Sequence, residues 1–324
     1  MIHAVRPARA RLAVASSRTG VLLAFLAAGI SGVSVFVNGY AVKQLPDPAV
    51  YTTLKNAVAA IVLIALASLT VRPEALRGVG RRSWGWLAVI GVIGGSVPFV
   101  LFFSGLAQAS APSAAFIQKT LFIWVAMLAV PFLGERLGWA QLASLGVLLA
   151  GQALVLSPAN LRWGTGETMI AAATLLWAVE TILVRRVLRT VPTQIVAAAR
   201  LGLGLVVLVG YLAVTGKLGT VATLGAGQWA WALGTGVLLA GYVATWFGAL
   251  RRAPASLVTA VLVIGAPITA ALQAISTGGI PAASVLTGHG LILAGALAIG
   301  AVALARRPAI LDASEPVPVV APAP

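Results

Sequence analysis

The chain has 324 residues, of which 60% are hydrophobic and only 9% charged, with a formal net charge of +15 and a mean hydropathy of +1.01. A soluble domain carries about 25% charged residues, so this composition belongs to a polytopic membrane protein. The absence of cysteine excludes a disulfide frame, thiolate chemistry and a Cys-based metal site. The arginines sit between apolar runs, so the positive charge reads as membrane topology and not as a nucleic-acid footprint.

Residues 1–19 form a basic cytoplasmic N-terminal segment. The apolar run from Val21 through Tyr40 is long for a signal-peptide core, and more spans follow, so it reads as an uncleaved first transmembrane helix. A crossing takes about 20 apolar residues. Cutting at polar loops and Pro/Gly punctuation gives ten spans, near 20–42, 50–70, 85–107, 112–133, 138–157, 167–187, 193–215, 228–250, 254–276 and 284–305. Residues 306–324 are Pro-rich and read as a disordered cytoplasmic tail.

Alternate loops differ sharply in charge. One set holds Arg6, Arg9, Arg11, Arg18, Arg72, Arg77, Arg81, Arg82, Arg136, Arg185, Arg186, Arg189, Arg251, Arg252, Arg306 and Arg307; the other holds only Lys43, Arg162 and Lys217. Sixteen against three predicts that both termini face the cytoplasm. Lys55, Lys119 and Arg200 fall inside spans.

The chain also matches itself. A shift of 145 places Lys55 on Arg200 and Val62-Leu63 on Val207-Leu208. A shift of 144 places Leu106 on Leu250, Gly134 on Gly278, Gly146 on Gly290 and Gly151 on Gly295. The predicted fold is therefore all-α and integral to the membrane: ten helices in two five-helix repeats, 20–157 and 167–305. Five is odd, so the second copy enters upside down, as in secondary transporters whose substrate site lies near the midplane between halves.

The turn Leu133-Gly134-Glu135-Arg136-Leu137, followed by "WAQLASLGVLLAGQALVL", resembles the end of an EamA domain of the drug/metabolite transporter superfamily. The second half keeps the helix glycines of "GGIPAASVLTGHGLILAGALAI" but lacks the Glu-Arg. Lys55 and Arg200 stand where that family usually has a basic residue opening the second helix of each repeat. The resemblance implies alternating access through a cavity lined by helices one, three, four, six, eight and nine, in the cytoplasmic membrane. Cargo would be a small organic metabolite, with protons or a counter-substrate as candidate coupling partners.

Lys119 is the first candidate site residue. It lies about seven to nine residues, or roughly 10–13 Å, inside the fourth span. A charge at mid-membrane costs roughly 2.5–3.5 kcal/mol on insertion scales. It either meets a substrate carboxylate or phosphate, or locks helices in an ion pair. Neighbouring Gln118 shares that polar surface in part. Glu180, the acid deepest in a span, is roughly 20 Å along the sixth. It either relays protons or meets a substrate amine, or it pairs with Lys119 or a cytoplasmic arginine. Trp177, Trp124, Tyr242, Trp246 and Phe102 are in-span rings that either stack on substrate or pack. Trp84, Trp86, Trp139, Trp163, Trp229 and Trp231 read as interfacial anchors. Ser31, Ser34 and Asn38 form a polar stripe at helical spacing. Pro98 and Pro267 are candidate hinges that each free a carbonyl. Glu135-Arg136 reads as structural, solvated or capping helix ends.

The residues do not build an enzyme. Ser104 and His289 lack any hydrolase motif, and Asp47 and Asp312 make no metal site. No cofactor is implied. The favoured function is export of an amino-acid-like metabolite, because one cation and one anion suit a zwitterion. Efflux of hydrophobic cations is the runner-up, and a channel or receptor is the alternative from another class.

Overall fold

The computed structural model describes residues 5–106, 108–109, 111–156 and 163–305. All regular structure among them is helical: α1 (Val5–Gln44), α2 (Pro48–Thr70), α3 (Pro73–Arg77), α4 (Arg81–Gly95), α5 (Val97–Leu106), α6 (Ala111–Lys119), α7 (Leu121–Leu133), α8 (Trp139–Leu156), α9 (Thr165–Val187), α10 (Thr193–Val214), α11 (Leu218–Ala222), α12 (Ala226–Arg252), α13 (Ala255–Leu262), α14 (Gly265–Thr277) and α15 (Ala283–Ala305). Nine described segments are long and apolar enough to cross a membrane; Trp139–Val155 is apolar but shorter. The helix containing the first span begins already at Val5, so the basic segment and the span share one helix. The tail 306–324 lies outside the described residues.

Helix ends follow local chemistry. Asp47 caps α2, accepting from the amides of Ala49 (2.7 Å) and Val50 (3.3 Å), with Pro48 in the first turn where no N–H is missed. α7 and α14 both stop at a left-handed glycine, Gly134 (φ 69°) and Gly278 (φ 66°).

Three predicted spans are broken helices. The third bends at Ser96, between α4 and α5. The fourth breaks at Thr120 and the ninth at Val263-Ile264, two positions 144 residues apart. Pro98 and Pro267 fall in the first turn after a break, where the lost N–H has no intrahelical partner in any case. The expected freed mid-helix carbonyl is therefore replaced by a clean interruption at both sites.

Packing contacts recur in pairs. α1 lies on α12 as α9 lies on α4 and α5; α2 meets α12 as α10 meets α4; α1 touches α13 and α14 as α9 touches α6 and α7. α2 packs on α10, and α8 on α15. Lipid tails are as apolar as leucine, so close backbone approach through small residues must hold such helices. A Cβ on Gly151 would sit 2.7 Å from the Gly288 carbonyl, and one on Gly288 equally close to that of Gly151. Exposed Leu22, Ile61, Met127, Val206 and Leu297 leave a largely apolar outer surface, as a lipid-facing bundle requires. Trp84, Trp86, Trp139, Trp163 and Trp229 are exposed too, while Trp231 packs on the Tyr51 cluster.

Candidate functional site

A cavity of about 220 Å³ lies where the broken helices meet. That is below the roughly 300–1,000 Å³ of pockets for drug-sized ligands, and suits a smaller molecule. Ser31, Ser34, Asn38, Gln118, Lys119, Trp177, Glu180, Tyr242 and Trp246 all face it. Lys55 of α2 and Arg200 of α10 face it as well. The resemblance implied only spans one, three, four, six, eight and nine, so these two basic residues bring two further helices to the wall.

Glu180 and Arg200 form a buried ion pair. Arg200 donates from Nε to Glu180 Oε1 (2.5 Å) and from Nη2 to Glu180 Oε2 (3.2 Å), a two-pronged contact matched to guanidinium geometry. The same Nη2 donates to the Gly94 carbonyl (3.0 Å), which also accepts from Trp177 Nε1 (3.3 Å). Gly94 is required here: any Cβ on it would overlap the Glu180 carboxyl. Lys119 and the arginines of the loops are thus not the partners of Glu180. Arg185 instead donates to the Arg251 carbonyl at 2.9 Å, and Arg186 to that of Phe132 at 2.7 Å. The signal for the true pair was present: Glu180 and Arg200 each lie seven residues from the short turn joining α9 and α10, hence at equal depth.

The other end of the cavity is built differently. Lys55 Nζ lies 3.5 Å from Asn38 Oδ1, its one hydrogen-bond partner among the described residues. It also sits over the rings of Tyr51 (5.2 Å), Phe99 (5.9 Å) and Phe103 (5.9 Å). Tyr51 Oη donates to the same Asn38 oxygen. Lys119 ends α6 at the break and has no ion pair or hydrogen bond from its ammonium among the described residues. Between these ends lie the aromatics: Trp177 packs edge-on to Phe99 (5.4 Å), and Tyr242 stacks on Trp246 (5.9 Å).

Two of the in-span rings are elsewhere. Phe102 packs behind Trp177 at 5.7 Å, outside the cavity wall. Trp124 is more than a third exposed and donates to Thr120 Oγ1 (3.1 Å). Glu135 has a cross-molecular job. Its carboxylate accepts from the amides of Ala255 (2.5 Å) and Ser256 (3.2 Å) and from Ser256 Oγ (2.5 Å), capping α13 from the other half. Among the described residues no group of three His, Cys, Asp or Glu is arranged for a metal.

A multi-pass helical fold around an amphipathic cavity of small-molecule size fits a membrane transporter. The model of the EamA-like transporter family matches residues 18–157 and again 164–301, and the chain belongs to this family. It is a transporter and not an enzyme, with a small-molecule substrate and a lipid environment. A protein of Streptantibioticus cattleyicolor named "Probable terminal-alkyne amino-acid exporter" is 26% identical over 282 residues, covering 87% of this chain and 91% of the relative. A solved crystal structure, described only as that of a protein, shares the fold with a TM-score of 0.68 at 20% identity, over 89% of this chain and 99% of the other.

Proposed function

We propose that the chain is a secondary transporter that exports a small amino-acid-like metabolite across the cytoplasmic membrane by alternating access. In this reading ten spans form two inverted five-helix halves, 20–157 and 167–305, with both termini cytoplasmic. The observation that carries it is the cavity wall, whose functional positions come in repeat-related pairs. Ser31, Ser34 and Val35 face it from α1, and Trp177, Glu180 and Thr181 face it from α9 with the same spacing, 146 residues on. Lys55 and Arg200 follow at 145, and Gln118 and Lys119 meet Leu262 and Val263 at 144. A site shared by two related halves is what rocking of one half on the other needs.

Export is favoured by the name of the relative, and amino-acid scale by the cavity volume. Efflux of hydrophobic cations is disfavoured, because Glu180 is engaged by Arg200. Pro98, Pro267 and the unwound residues beside them are the proposed hinges. Purified protein in liposomes should show saturable counterflow of a labelled amino acid from a panel that includes L-propargylglycine, a terminal-alkyne amino acid. Flux that is neither saturable nor stimulated by internal substrate would make it a channel.

A further inference from the structure

The cavity wall is not symmetric in charge. Lys55 and Arg200 are repeat equivalents, and Arg200 has its carboxylate in Glu180. The equivalent of Glu180 is Ser34, with Ser31/Trp177 and Val35/Thr181 fixing the register on either side. Ser34 Oγ is buried and has no hydrogen-bond partner among the described residues. Lys55 is only 6% exposed, yet no acid among the described residues meets it. The second cation, Lys119, has apolar Val263 as its equivalent and likewise meets no acid among the described residues.

Among the described residues three cations and one acid therefore line the cavity, and that acid is consumed by Arg200. A buried ammonium without a counter-charge is unfavourable, and the rings around Lys55 offset only part of that. Buried Lys55 and half-buried Lys119, on the same cavity wall as an unsatisfied hydroxyl, form a receptor for an anion. Lys55 is seven residues into α2 and Lys119 eight into α6, so both stand at similar depth from one end of the bundle.

We infer that Lys55 and Lys119 together hold the carboxylate of the transported molecule, with Lys55 taking from the substrate what Arg200 takes from Glu180. Ser34 Oγ donates a further hydrogen bond. No free acid faces the cavity among the described residues, so a substrate amino group meets no carboxylate. The substrate class is an organic carboxylate of amino-acid size, in which the α-amino group is dispensable. This rests on the transporter reading above and narrows it.

The test uses purified full-length protein in liposomes, with counterflow of labelled L-propargylglycine and three unlabelled competitors. These are L-propargylglycine itself, its carboxamide, which lacks the negative charge, and 4-pentynoic acid, which lacks the amine. The acid should compete within about threefold of the amino acid, and the carboxamide should be at least tenfold weaker. Lys55→Gln should weaken the two carboxylates at least tenfold, with part of the loss restored in Lys55→Arg. Equal competition by the carboxamide, or wild-type behaviour of folded Lys55→Gln, overturns the carboxylate site and leaves the transporter reading intact. Failure of 4-pentynoic acid to compete overturns the dispensable amine. If Lys55→Gln does not fold, the competitors on the unmodified protein decide alone. Absence of saturable counterflow by the unmodified protein overturns the transporter reading, and the carboxylate site with it.

Discussion

Lys55 and Arg200 hold equivalent places in the two halves, and their surroundings are opposite. Arg200 is gripped by Glu180 and by the Gly94 carbonyl, on a helix thinned to glycine to make room. Lys55 has three aromatic rings, one distant amide oxygen and an idle serine where the acid would be. Duplication explains why a cation stands at each place. Divergence of the facing helix explains why one is a structural rivet and the other remains receptive. A satisfied pair gives rigidity because separating it strands two charges; an unsatisfied one gives affinity because a ligand supplies what is missing.

Removing partners from each side is the strongest way to break that contrast. Glu180→Ala strands the Arg200 guanidinium in a buried site and should cost about 3–5 kcal/mol. Lys55→Gln leaves no orphan charge and should cost far less, or even stabilise. Thermal unfolding in detergent separates them, and equal shifts would erase the distinction. Gly94→Ala drives a methyl group into the Glu180 carboxyl and should cost about 1–3 kcal/mol by overpacking, with no comparable loss for Gly290→Ala, which has open space.

Ser34→Glu sharpens the comparison from the other direction by rebuilding in the first half the pair that the second already has. The protein should remain at least as heat-stable, while a carboxylate ligand should lose tenfold or more in affinity, about 1.4 kcal/mol, because the site now supplies its own anion. Stabilisation by 4-pentynoate in a thermal shift assay reads both quantities. Glu135→Gln weakens the cap on α13 by about 1 kcal/mol. Its effect should appear as faster labelling of a cysteine placed at Thr259 in this cysteine-free chain, because the two halves are less firmly tied at that end.

Much of the fold was legible because lipid imposes strong rules on sequence. Apolar runs of span length and a self-match at offsets of 144 and 145 were readable from the chain, while the 146 offset of α1 on α9 and the left-handed glycine stops needed the structure. The site was legible in part. Polar residues in spans are costly enough to stand out, and Lys119, Gln118, Glu180 and Asn38 do reach the cavity. Their pairing was not legible from composition, because it depends on which helices meet. Depth from the nearest turn would have joined Glu180 to Arg200, where the sequence reading left Lys119 and the loop arginines as the candidate partners. Phe102 and Trp124 show the other limit, since an aromatic ring carries no mark of which face of its helix it will use. Glu135 was legible as structural, but the helix it caps, 120 residues away, was not.

The smallest effect belongs to the exposed pair, Lys217 with Asp47, whose atoms are 2.7 Å apart. Its side chains are 36% and 25% exposed, against 8% and 5% for Arg200 and Glu180, so water and salt screen it. Burial pushes the Asp47 carboxyl up, but the Lys217 hydrogen bond and the amides of Ala49 and Val50 outweigh it and hold it below the usual value. The Lys217 ammonium is raised by its hydrogen bond to Asp47. The carboxyl is depressed on folding, so its contribution is present above about pH 4 and fades as pH falls through its folded value. The ammonium is raised, so its contribution is present below about pH 10.4 and fades as pH rises through its folded value. Between those limits stability should be flat. Lys217→Gln removes the ion pair but keeps the Asp47 cap, so it should cost only about 0.2–1 kcal/mol at neutral pH. In 1 M salt the unmodified protein should lose the same margin, while Glu180→Ala keeps its large deficit. If salt erased the Glu180 deficit as well, the pair on α9 and α10 would be solvated, and the contrast between a sealed Arg200 and a receptive Lys55 would fail at its root.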